Sequence, residues 1–347
     1  MSEHTPIGLD QQASPVRALT HSGNFHTDET LGYVILHYAL EPEGDLRGRV
    51  LNGHDGGRLT FVRSRNPEDI QAADIVFDVG GEYAPPKGRY DHHMRVKPLR
   101  DDGTPYSAAG LLWKDYGKAA IRNILGAVLK TPVSETDVAS IWQTLDKSLI
   151  LPVDLDDNGV AKMGKLSLAD IVSACNPPWD TTELYGADVA NTRETTGFAN
   201  AASAVAAHLV NSLDRVRASL KAASRVMEAY ARAEDKRILL MDTGMPTEKM
   251  IFENDLPVVY VVSPTNNGQW NVKAISPTRG DFGQRVSLPE AWGGLEKAEL
   301  AKVSGVPDAV LAHPARFICG AGSPEGARKK AQLALQIDES LKSGKSA

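Results

Sequence analysis

The amino-acid sequence predicts an α/β protein with a mostly parallel sheet flanked by helices, followed by a smaller C-terminal α/β lobe. Segments typical of strands and of helices alternate through the first half of the chain, as they do around parallel sheets. An alanine-rich stretch with high helix propensity, residues 196–233, follows near the middle of the chain. Strand-like segments then resume and lead into a closing helix at 324–341.

Strands in the first half are predicted where short apolar runs end in polar residues or turns. These runs are residues 16–20, 59–63, 75–79 and 149–153. Helices are predicted where apolar residues recur at helical spacing or behind a capping residue or a proline. These helices cover residues 28–40, a short segment from 67, 107–116 and 135–149.

The second half of the chain is again a mixture of strands and helices. Strands are predicted at 237–241, 258–263 and 270–276, a short helix at 298–303, and short apolar segments at 310–313 and 316–319. Because the chain has 347 residues and a domain takes roughly 150, we expect two lobes. The predicted divisions are a flexible lead-in at 1–17, a first lobe at 18–190, a connecting helix at 191–235 and a second lobe at 236–347.

Charge and cysteine content narrow the class of protein. The net charge of −6 argues against a general nucleic-acid coat protein, although bound cations and local arginines can make one cleft attractive to phosphates. Two distant cysteines, Cys175 and Cys319, make neither a disulfide framework nor a thiolate zinc site. The N-terminus has no secretory or transit pattern, and no apolar run is long enough to span a bilayer. We therefore expect a cytoplasmic protein without a membrane partner.

Four of the nine histidines, His21, His26, His92 and His93, lie within a few residues of acids. The first two belong to a loop between a predicted strand and a predicted helix, where α/β sheets bind ligands. His26 and Asp28 can point the same way in an extended loop, and imidazole with carboxylate suits a divalent ion such as Mn²⁺. The alternative is that Asp28 only stabilises the helix N-terminus.

Acidic and imidazole side chains recur further along the chain. Asp78 ends an apolar run before a glycine pair, where a metal could bridge it to Asp28; a turn-initiating aspartate is the alternative. In Asp91-His92-His93, one histidine can ligate while the other acts on substrate, and the aspartate can fix a ring tautomer or ligate directly. A surface loop is the alternative for this triplet.

A run of carboxylates, Asp154, Asp156 and Asp157, follows the predicted strand at 149–153. Three carboxylates in four residues repel one another unless cations lie among them. A solvated acidic turn is the alternative, whereas an EF-hand loop lacks its bidentate glutamate here. Together the four acidic and histidine segments supply about six ligands, enough for two metal ions roughly 3.5–4 Å apart.

Gly320 and Gly322 lie just before the closing helix, where Ser323 can cap the helix and Pro324 fits its first turn. Glycine-rich backbone at a helix N-terminus is typical of an anion site, although an ordinary capped helix start fits equally well. The P-loop and dinucleotide fingerprints are both absent.

Taken together, these segments resemble the MYG exonuclease family, named after melanocyte proliferating gene and formerly labelled metal-dependent protein hydrolases. The resemblance covers nearly the whole chain from Thr20, and its combined motifs are highly specific. It is carried by His21-x-Gly-x-Phe-His26-x-Asp28-Glu29, Asp78-Val-Gly-Gly81, Tyr90-Asp91-His92-His93-x-Arg95, Ser107-Ala-Ala-Gly110, Asp157-Asn158-Gly159, Leu288-Pro289-Glu290-Ala-Trp292-x-Gly294-Leu295 and His313-Pro-x-x-Phe317-Ile.

The MYG family is similar to the DHH phosphoesterases, which include manganese pyrophosphatases and single-strand exonucleases. The resemblance therefore implies a DHH-type catalytic lobe at 18–190 and a smaller substrate-binding lobe at 236–347 across a cleft. It also implies 3′–5′ exonuclease activity on short single-stranded RNA or another phosphodiester, with two Mn²⁺ or Mg²⁺ ions. The implied metal ligands are His21, His26, Asp28, Asp78, His92 and Asp154, with Asp156 and Asp157 competing for the last place. The predicted catalytic residues are Asp91 and His93, the latter facing the scissile phosphate.

The second lobe departs from the DHH pattern, in which a Gly-Gly-His element is often found. Cys319-Gly-Ala-Gly322 stands near that place without a histidine, so arginines are the candidates for phosphate contacts. The predicted substrate-binding residues are Arg95, Arg279, Arg285, Arg316, Gly320 and Gly322. Two other functions remain open: a small-molecule phosphoesterase acting on pyrophosphate or dinucleotides, and a metal-stabilised binding protein without turnover.

Overall fold

The computed structural model of the chain describes residues 5–9, 15–42, 44–48, 57–162, 164 and 166–344. The chain divides into two compact units, Met1–Arg217 and Ala218–Ala347. The predicted lead-in at 1–17 lies partly outside the described residues. In its described part Gly8 is buried, and Tyr116 donates a hydrogen bond to the Ile7 carbonyl oxygen. Within the described part of the chain, no helix combines the length and the apolar character needed to cross a membrane.

Unit 1 is built on a five-stranded sheet with helices. Its strands are β1 (Val16–Thr20), β2 (Leu59–Arg63), β3 (Ile75–Phe77), β4 (Tyr83–Ala84) and β5 (Arg89–Tyr90). The sheet order is β2-β1-β3-β5-β4, and every pair is parallel except β5 with β4. The helices are α1 (Thr27–Leu40), α2 (Pro67–Ala72), α3 (Ala108–Asn123), α4 (Glu135–Leu145), α5 (Leu151–Asp157), α6 (Leu168–Ser173), α7 (Thr181–Tyr185) and α8 (Ala187–Arg232), which continues into unit 2. This mostly parallel sheet with helices confirms the predicted fold class.

Helix α1 lies at the centre of unit 1. All of its residues, Thr27–Leu40, are buried, so the helix packs on every side rather than along one apolar stripe. Gly32 permits this close packing, because a Cβ there would lie 3.0 Å from Leu112 and 3.2 Å from Phe77. The packing fixes the N-terminal turn of α1, which carries Asp28.

The predicted strand at 149–153 is wrong, since these residues are helical. A π-helical turn, Asp146–Ile150, extends α4, and α5 follows without a break. An apolar run this short fits a buried helix as well as a strand. Here Leu149, Ile150 and Val153 are buried at helical spacing. The acidic run from Asp154 therefore lies on a helix and not in a loop behind a strand.

Unit 2 contains a second five-stranded sheet. Its strands are β6 (Ile238–Leu240), β7 (Tyr260–Pro264), β8 (Trp270–Ala274), β9 (Ala309–Ala312) and β10 (Ile318–Ala321). The order is β6-β7-β8-β10-β9, with β6 parallel to β7 and the other described pairs antiparallel. The helices are α9 (Glu248–Glu253), α10 (Lys297–Ser304) and α11 (Pro324–Lys342). This composition agrees with the predicted smaller α/β lobe, although α9 was not predicted.

Candidate metal centre

The predicted site residues of unit 1 follow the C-terminal ends of three neighbouring strands. His21 comes directly after β1, Asp78 after β3, and Asp91 and His92 after β5. Because β1, β3 and β5 are parallel neighbours, their C-terminal ends lie at one edge of the sheet, where α/β proteins bind ligands. The sheet topology therefore brings together side chains that are far apart in sequence.

His21 is held between two carboxylates. Its Nε2 lies 3.1 Å from Glu29 Oε1 and 3.1 Å from Asp78 Oδ2. Burial alone would lower the pKa of His21, but the hydrogen bonds with Asp78 and Glu29 raise it to about 9. Glu29 Oε1 also accepts a hydrogen bond from the backbone N–H of His26 at 2.8 Å, which fixes the first turn of α1. The His26 ring is exposed, with its centroid 6.2 Å from that of His21.

His92 lies among three carboxylates. Its Nε2 is 3.2 Å from Asp78 Oδ1 and 3.3 Å from Asp157 Oδ2. Asp28 Oδ2 lies 3.7 Å from the same nitrogen. Burial alone would raise the pKa of Asp78, but hydrogen bonds from His21 and His92 lower it to about 2. The two oxygens of Asp78 thus face different histidines, so this carboxylate connects the surroundings of His21 with those of His92.

The buried carboxylate of Asp28 provides the test of whether a metal fits. Among the described residues, neither Asp28 oxygen accepts a hydrogen bond, and Glu29 Oε2 and His92 Nδ1 are also unpaired. Burial, together with repulsion from Asp78 and Asp157, raises the pKa of Asp28 well above its ordinary value. Buried polar atoms without partners are costly. Carboxylate and imidazole are suitable ligands for divalent cations, so these residues fit a metal ion.

Four overlapping groups of side chains have donor atoms within 4.8 Å of one another and could each hold a metal ion. The groups are His21 with His26 and Glu29, Asp28 with Glu29 and Asp78, Asp78 with His92 and His93, and Asp28 with His92 and Asp157. Because the groups share members, their eight side chains form one connected cluster, which we call the metal cluster.

Asp91 positions His93 at the edge of this cluster. His93 Nδ1 lies 2.9 Å from Asp91 Oδ1, and the His93 side chain is 61% exposed. The buried Asp91 carboxylate also accepts hydrogen bonds from the backbone N–H groups of Gly81, His92 and His93. Such a carboxylate fixes the tautomer and orientation of its histidine. Both residues line a cavity of about 460 Å³, into which the metal cluster opens.

The backbone at Asp78 is strained. Its φ is 58°, in the left-handed region, which costs a residue with a Cβ about 1–2 kcal/mol. Gly80 and Gly81 follow with φ of 101° and 70°, values that glycine adopts freely. Strain of this kind persists where the surrounding structure holds a residue in place, often at a functional site. Here the strained residue is Asp78, whose carboxylate contacts both His21 and His92.

Asp154, one of the predicted ligands, lies outside the metal cluster. Its Oδ1 accepts hydrogen bonds from the backbone N–H of Ser107 at 2.9 Å and from the Ser107 hydroxyl at 2.6 Å. Its Oδ2 accepts from Arg100 Nε at 2.6 Å. The structure therefore brings the competing residue, Asp157, beside His92 and leaves Asp154 fully engaged elsewhere.

The predicted substrate-binding arginines have different surroundings. Arg95 and Arg279 are exposed. Arg285 donates from Nη1 to two backbone carbonyls in the segment before β7, at 2.6 and 2.9 Å, so part of its guanidinium has a structural role. Arg316 is half-buried and has a φ of 60°.

The predicted anion site at the N-terminus of α11 holds a side chain of the protein itself. The Asp308 carboxylate accepts a hydrogen bond from the Ser323 hydroxyl at 2.6 Å. A Cβ on Gly326, in the first turn of the helix, would lie 2.2 Å from this carboxylate. Gly320 lies within β10, and the Gly322 N–H donates to the Asp308 carbonyl at 2.8 Å. The alternative of an ordinary capped helix start describes this geometry.

The comparison with protein families decides the assignment. The family model MYG1_exonuc, described as an uncharacterised protein family (UPF0160), matches residues 17–335. The chain belongs to this family. The MYG1 exonuclease of Mus musculus is 29% identical over 372 aligned residues, which cover 96% of this chain and 91% of the relative. The MYG1 protein of Schizosaccharomyces pombe is 29% identical over 93% of this chain and 98% of the relative.

The MYG1 exonuclease of Homo sapiens is 28% identical over 93% of this chain and 86% of the relative. Membership confirms two predictions from the sequence: the MYG exonuclease family and an enzyme of the exonuclease class.

Among solved structures, RecJ from Thermus thermophilus in complex with Mn²⁺ is 18% identical with a TM-score of 0.25. The match covers 92% of this chain and 52% of that RecJ chain, so this chain spans about half its length. A TM-score this low supports no inference about the site.

Sequence reasoning missed two residues of this MYG1 family member. Glu29 belongs to the metal cluster, and the signal was its place beside Asp28 at the helix start. Arg65 lines the cavity, and its Nε donates to the Ser22 carbonyl at 3.1 Å. Arg65 comes soon after β2, so the rule that parallel strands end at one edge could have found it.

Proposed function

We propose that the chain is a divalent-metal-dependent phosphodiester hydrolase that degrades short single-stranded RNA from its 3′ end. One observation carries the proposal. The carboxylate of Asp78 lies 3.1 Å from His21 on one side and 3.2 Å from His92 on the other, amid buried acids. A carboxylate in that position is suited to bridge two metal ions. The relatives named as exonucleases support a polynucleotide substrate.

The residues of the metal cluster would hold two ions, Mn²⁺ or Mg²⁺. When bound, these ions supply Lewis-acid activation of the phosphodiester and of the attacking water. The proposed ligands are His21, His26, Asp28, Glu29, Asp78, His92 and Asp157. Asp157, rather than Asp154, is the proposed carboxylate ligand from α5, because both oxygens of Asp154 accept hydrogen bonds outside the metal cluster.

His93 is proposed as the general acid. The oxygen of a water adds to phosphorus, the bond from phosphorus to the leaving oxygen breaks, and that oxygen takes up a proton. Because Nδ1 of His93 is bound to Asp91, this proton comes from Nε2 of the doubly protonated ring, and the proton that the attacking water loses passes to solvent. The exposed ring lines the cavity, where it can meet the substrate.

Cationic side chains near the cavity would contact the phosphates. Arg65 lines the cavity, and the exposed Arg95 follows His93 by two residues. Further contacts from Arg279 and Arg316 remain predictions, as do the substrate-binding role of 236–347 and the cytoplasmic location. The catalytic role is assigned to unit 1, which contains the whole metal cluster.

A substrate panel tests the proposal. Purified protein with Mn²⁺ or Mg²⁺ is given 5′-labelled RNA, single-stranded DNA of the same sequence, dinucleotides and pyrophosphate. Products shortened from the 3′ end, with RNA preferred, are the expected result. Preference for pyrophosphate or dinucleotides would favour the small-molecule phosphoesterase, which a cavity of about 460 Å³ could also serve. A metal-dependent rise in Tm without hydrolysis of any of these compounds would indicate a binding protein.

A further inference from the structure

Trp179 is a large aromatic residue whose indole is 90% exposed. By contrast, Trp113 and Trp292 are fully buried in their units. Tryptophan is enriched at binding surfaces, because its ring offers an apolar face and its N–H a polar edge. Trp179 lies in the segment between α6 and α7 of unit 1.

Hydrogen bonds fix the backbone around Trp179, whereas the ring of Trp179 is exposed. Thr181, which is buried, donates from its backbone N–H and from its hydroxyl to the Pro178 carbonyl, at 3.1 and 2.7 Å. These bonds close a tight turn with Trp179 at its tip. Pro177 and Pro178 restrict the chain before the turn further. A ring presented on a rigid turn loses little entropy when it binds a ligand.

The same segment is attached to the loop between β1 and α1, which carries His21 and His26 of the metal cluster. Asn176 Oδ1 accepts from the Phe25 N–H at 2.9 Å, and Asn176 Nδ2 donates to the Phe25 carbonyl at 2.8 Å. Phe25 directly precedes His26 of the metal cluster. With about 3.8 Å between consecutive Cα atoms, the Cα of Trp179 lies at most about 11 Å from that of Asn176.

Gly197 in α8 shows how closely this segment is packed. A Cβ at Gly197 would lie 2.2 Å from the Cys175 carbonyl oxygen, so glycine is required where the segment crosses the helix. The chain that leads into Trp179 is therefore packed closely against α8 within unit 1.

We propose that Trp179 stacks on a nucleobase of the single strand whose phosphate is held at the metal cluster. This inference rests on the proposed function. Stacking on aromatic rings is the sequence-tolerant means by which proteins hold single-stranded nucleic acids. A second exposed aromatic residue, Tyr185 at the end of α7, has the Arg193 guanidinium 4.2 Å from its ring centroid.

The test compares Trp179→Ala and Trp179→Phe with the wild type on two substrates. One is a short single-stranded RNA, and the other is bis(p-nitrophenyl) phosphate, a phosphodiester without a base. Trp179→Ala is expected to lower kcat/KM for the RNA about tenfold, mainly through KM, and to leave the base-free ester unchanged. Trp179→Phe keeps a stacking face and retains most of the activity on RNA. Leu166→Ala, at a position that is 92% exposed in the same unit, is the matched control.

Three results would overturn the stacking role. These are an unchanged kcat/KM of Trp179→Ala on RNA, an equal loss on both substrates, and a change of oligomeric state in light scattering, which would indicate a contact between copies. If the wild type hydrolyses neither substrate, the proposed function fails separately. In that case, the fluorescence anisotropy of a labelled RNA with Mn²⁺ tests the stacking role by itself. About tenfold weaker binding by Trp179→Ala than by the wild type supports stacking, and equal binding contradicts it.

Discussion

Asp154 and Asp157 lie one helical turn apart on α5, yet their carboxylates have different partners. Asp154 accepts hydrogen bonds from Ser107, the residue that caps α3, and from Arg100. Asp157 lies 3.3 Å from His92 Nε2. One carboxylate therefore fastens α5 to α3, and the other joins the metal cluster.

This difference predicts that two matched substitutions affect different properties, metal affinity in one case and folding stability in the other. Asp157→Asn is expected to weaken Mn²⁺ binding by at least about 100-fold, since even residues behind a ligand cost 10–100-fold. Asp154→Asn is expected to lower the free energy of unfolding by about 3 kcal/mol, because it breaks a buried ion pair with Arg100. Titration calorimetry and urea unfolding measure the two effects. The reverse pattern, with metal affinity lost only in Asp154→Asn, would show that the ligand assignment is wrong.

Asp28→Asn is expected to stabilise the metal-free protein. The buried Asp28 carboxylate has no hydrogen-bond donor among the described residues, so its removal in EDTA should raise the free energy of unfolding by about 1–3 kcal/mol. The folded protein holds the Asp28 proton more tightly than the unfolded chain does. The stability that this bound proton contributes is therefore lost as pH rises above the ordinary carboxyl pKa of 3.8. The stabilisation by Asp28→Asn should for this reason be larger at pH 8 than at pH 4.

Thermal melts with and without Mn²⁺ check the Asp28 prediction. The wild type should gain Tm with Mn²⁺, because a ligand of the folded state stabilises it, and the variant should lose most of this gain. A variant that is less stable than the wild type in EDTA would mean that Asp28 is satisfied within the metal-free protein.

Metal affinity is expected to rise with pH. Hydrogen bonds with Asp78 and Glu29 raise the pKa of His21 to about 9 in the metal-free protein, and a histidine must lose its proton to ligate. Below this pKa, Mn²⁺ therefore displaces about one proton from His21, and the affinity falls about tenfold for each pH unit lost. Calorimetry at pH 6, 7 and 8 in buffers of different ionisation enthalpy measures both quantities. An affinity that is independent of pH over this range would exclude His21 as a ligand.

His93→Ala is expected to lower kcat by about 10²–10⁴-fold, the usual contribution of a general acid. Because the His93 side chain is 61% exposed, Tm should not change. His208→Ala, which removes an exposed histidine on α8, is the control and should behave as the wild type. Loss of Tm together with kcat in His93→Ala would indicate a structural role instead.

Much of the fold could be predicted because its strands are short apolar runs with clear ends. The predicted strands at 16–20 and 59–63 agree with β1 and β2. The run at 149–153 was wrongly assigned to a strand because so short an apolar run fits either a strand or a buried helix. Its helical conformation becomes evident only together with its neighbours, α4 and α5.

The convergence of His21, Asp78 and His92 could be predicted because parallel strands end at one edge of a sheet. The choice between Asp154 and Asp157 could not. The π-helical turn at Asp146–Ile150 adds a residue to one turn and thereby changes which face of the following helix each carboxylate occupies.

Hydrolysis of a short 5′-labelled RNA by the wild type, Asp78→Asn and Asp69→Asn tests the central claim most directly. Asp69, which pairs with Arg17 at 3.1 Å outside the metal cluster, is the matched control. We expect activity with Mn²⁺ that EDTA abolishes, unchanged activity in Asp69→Asn, and a loss of at least about 100-fold in Asp78→Asn. Wild-type rates in Asp78→Asn, or hydrolysis that persists in EDTA, would contradict a metal centre built around Asp78.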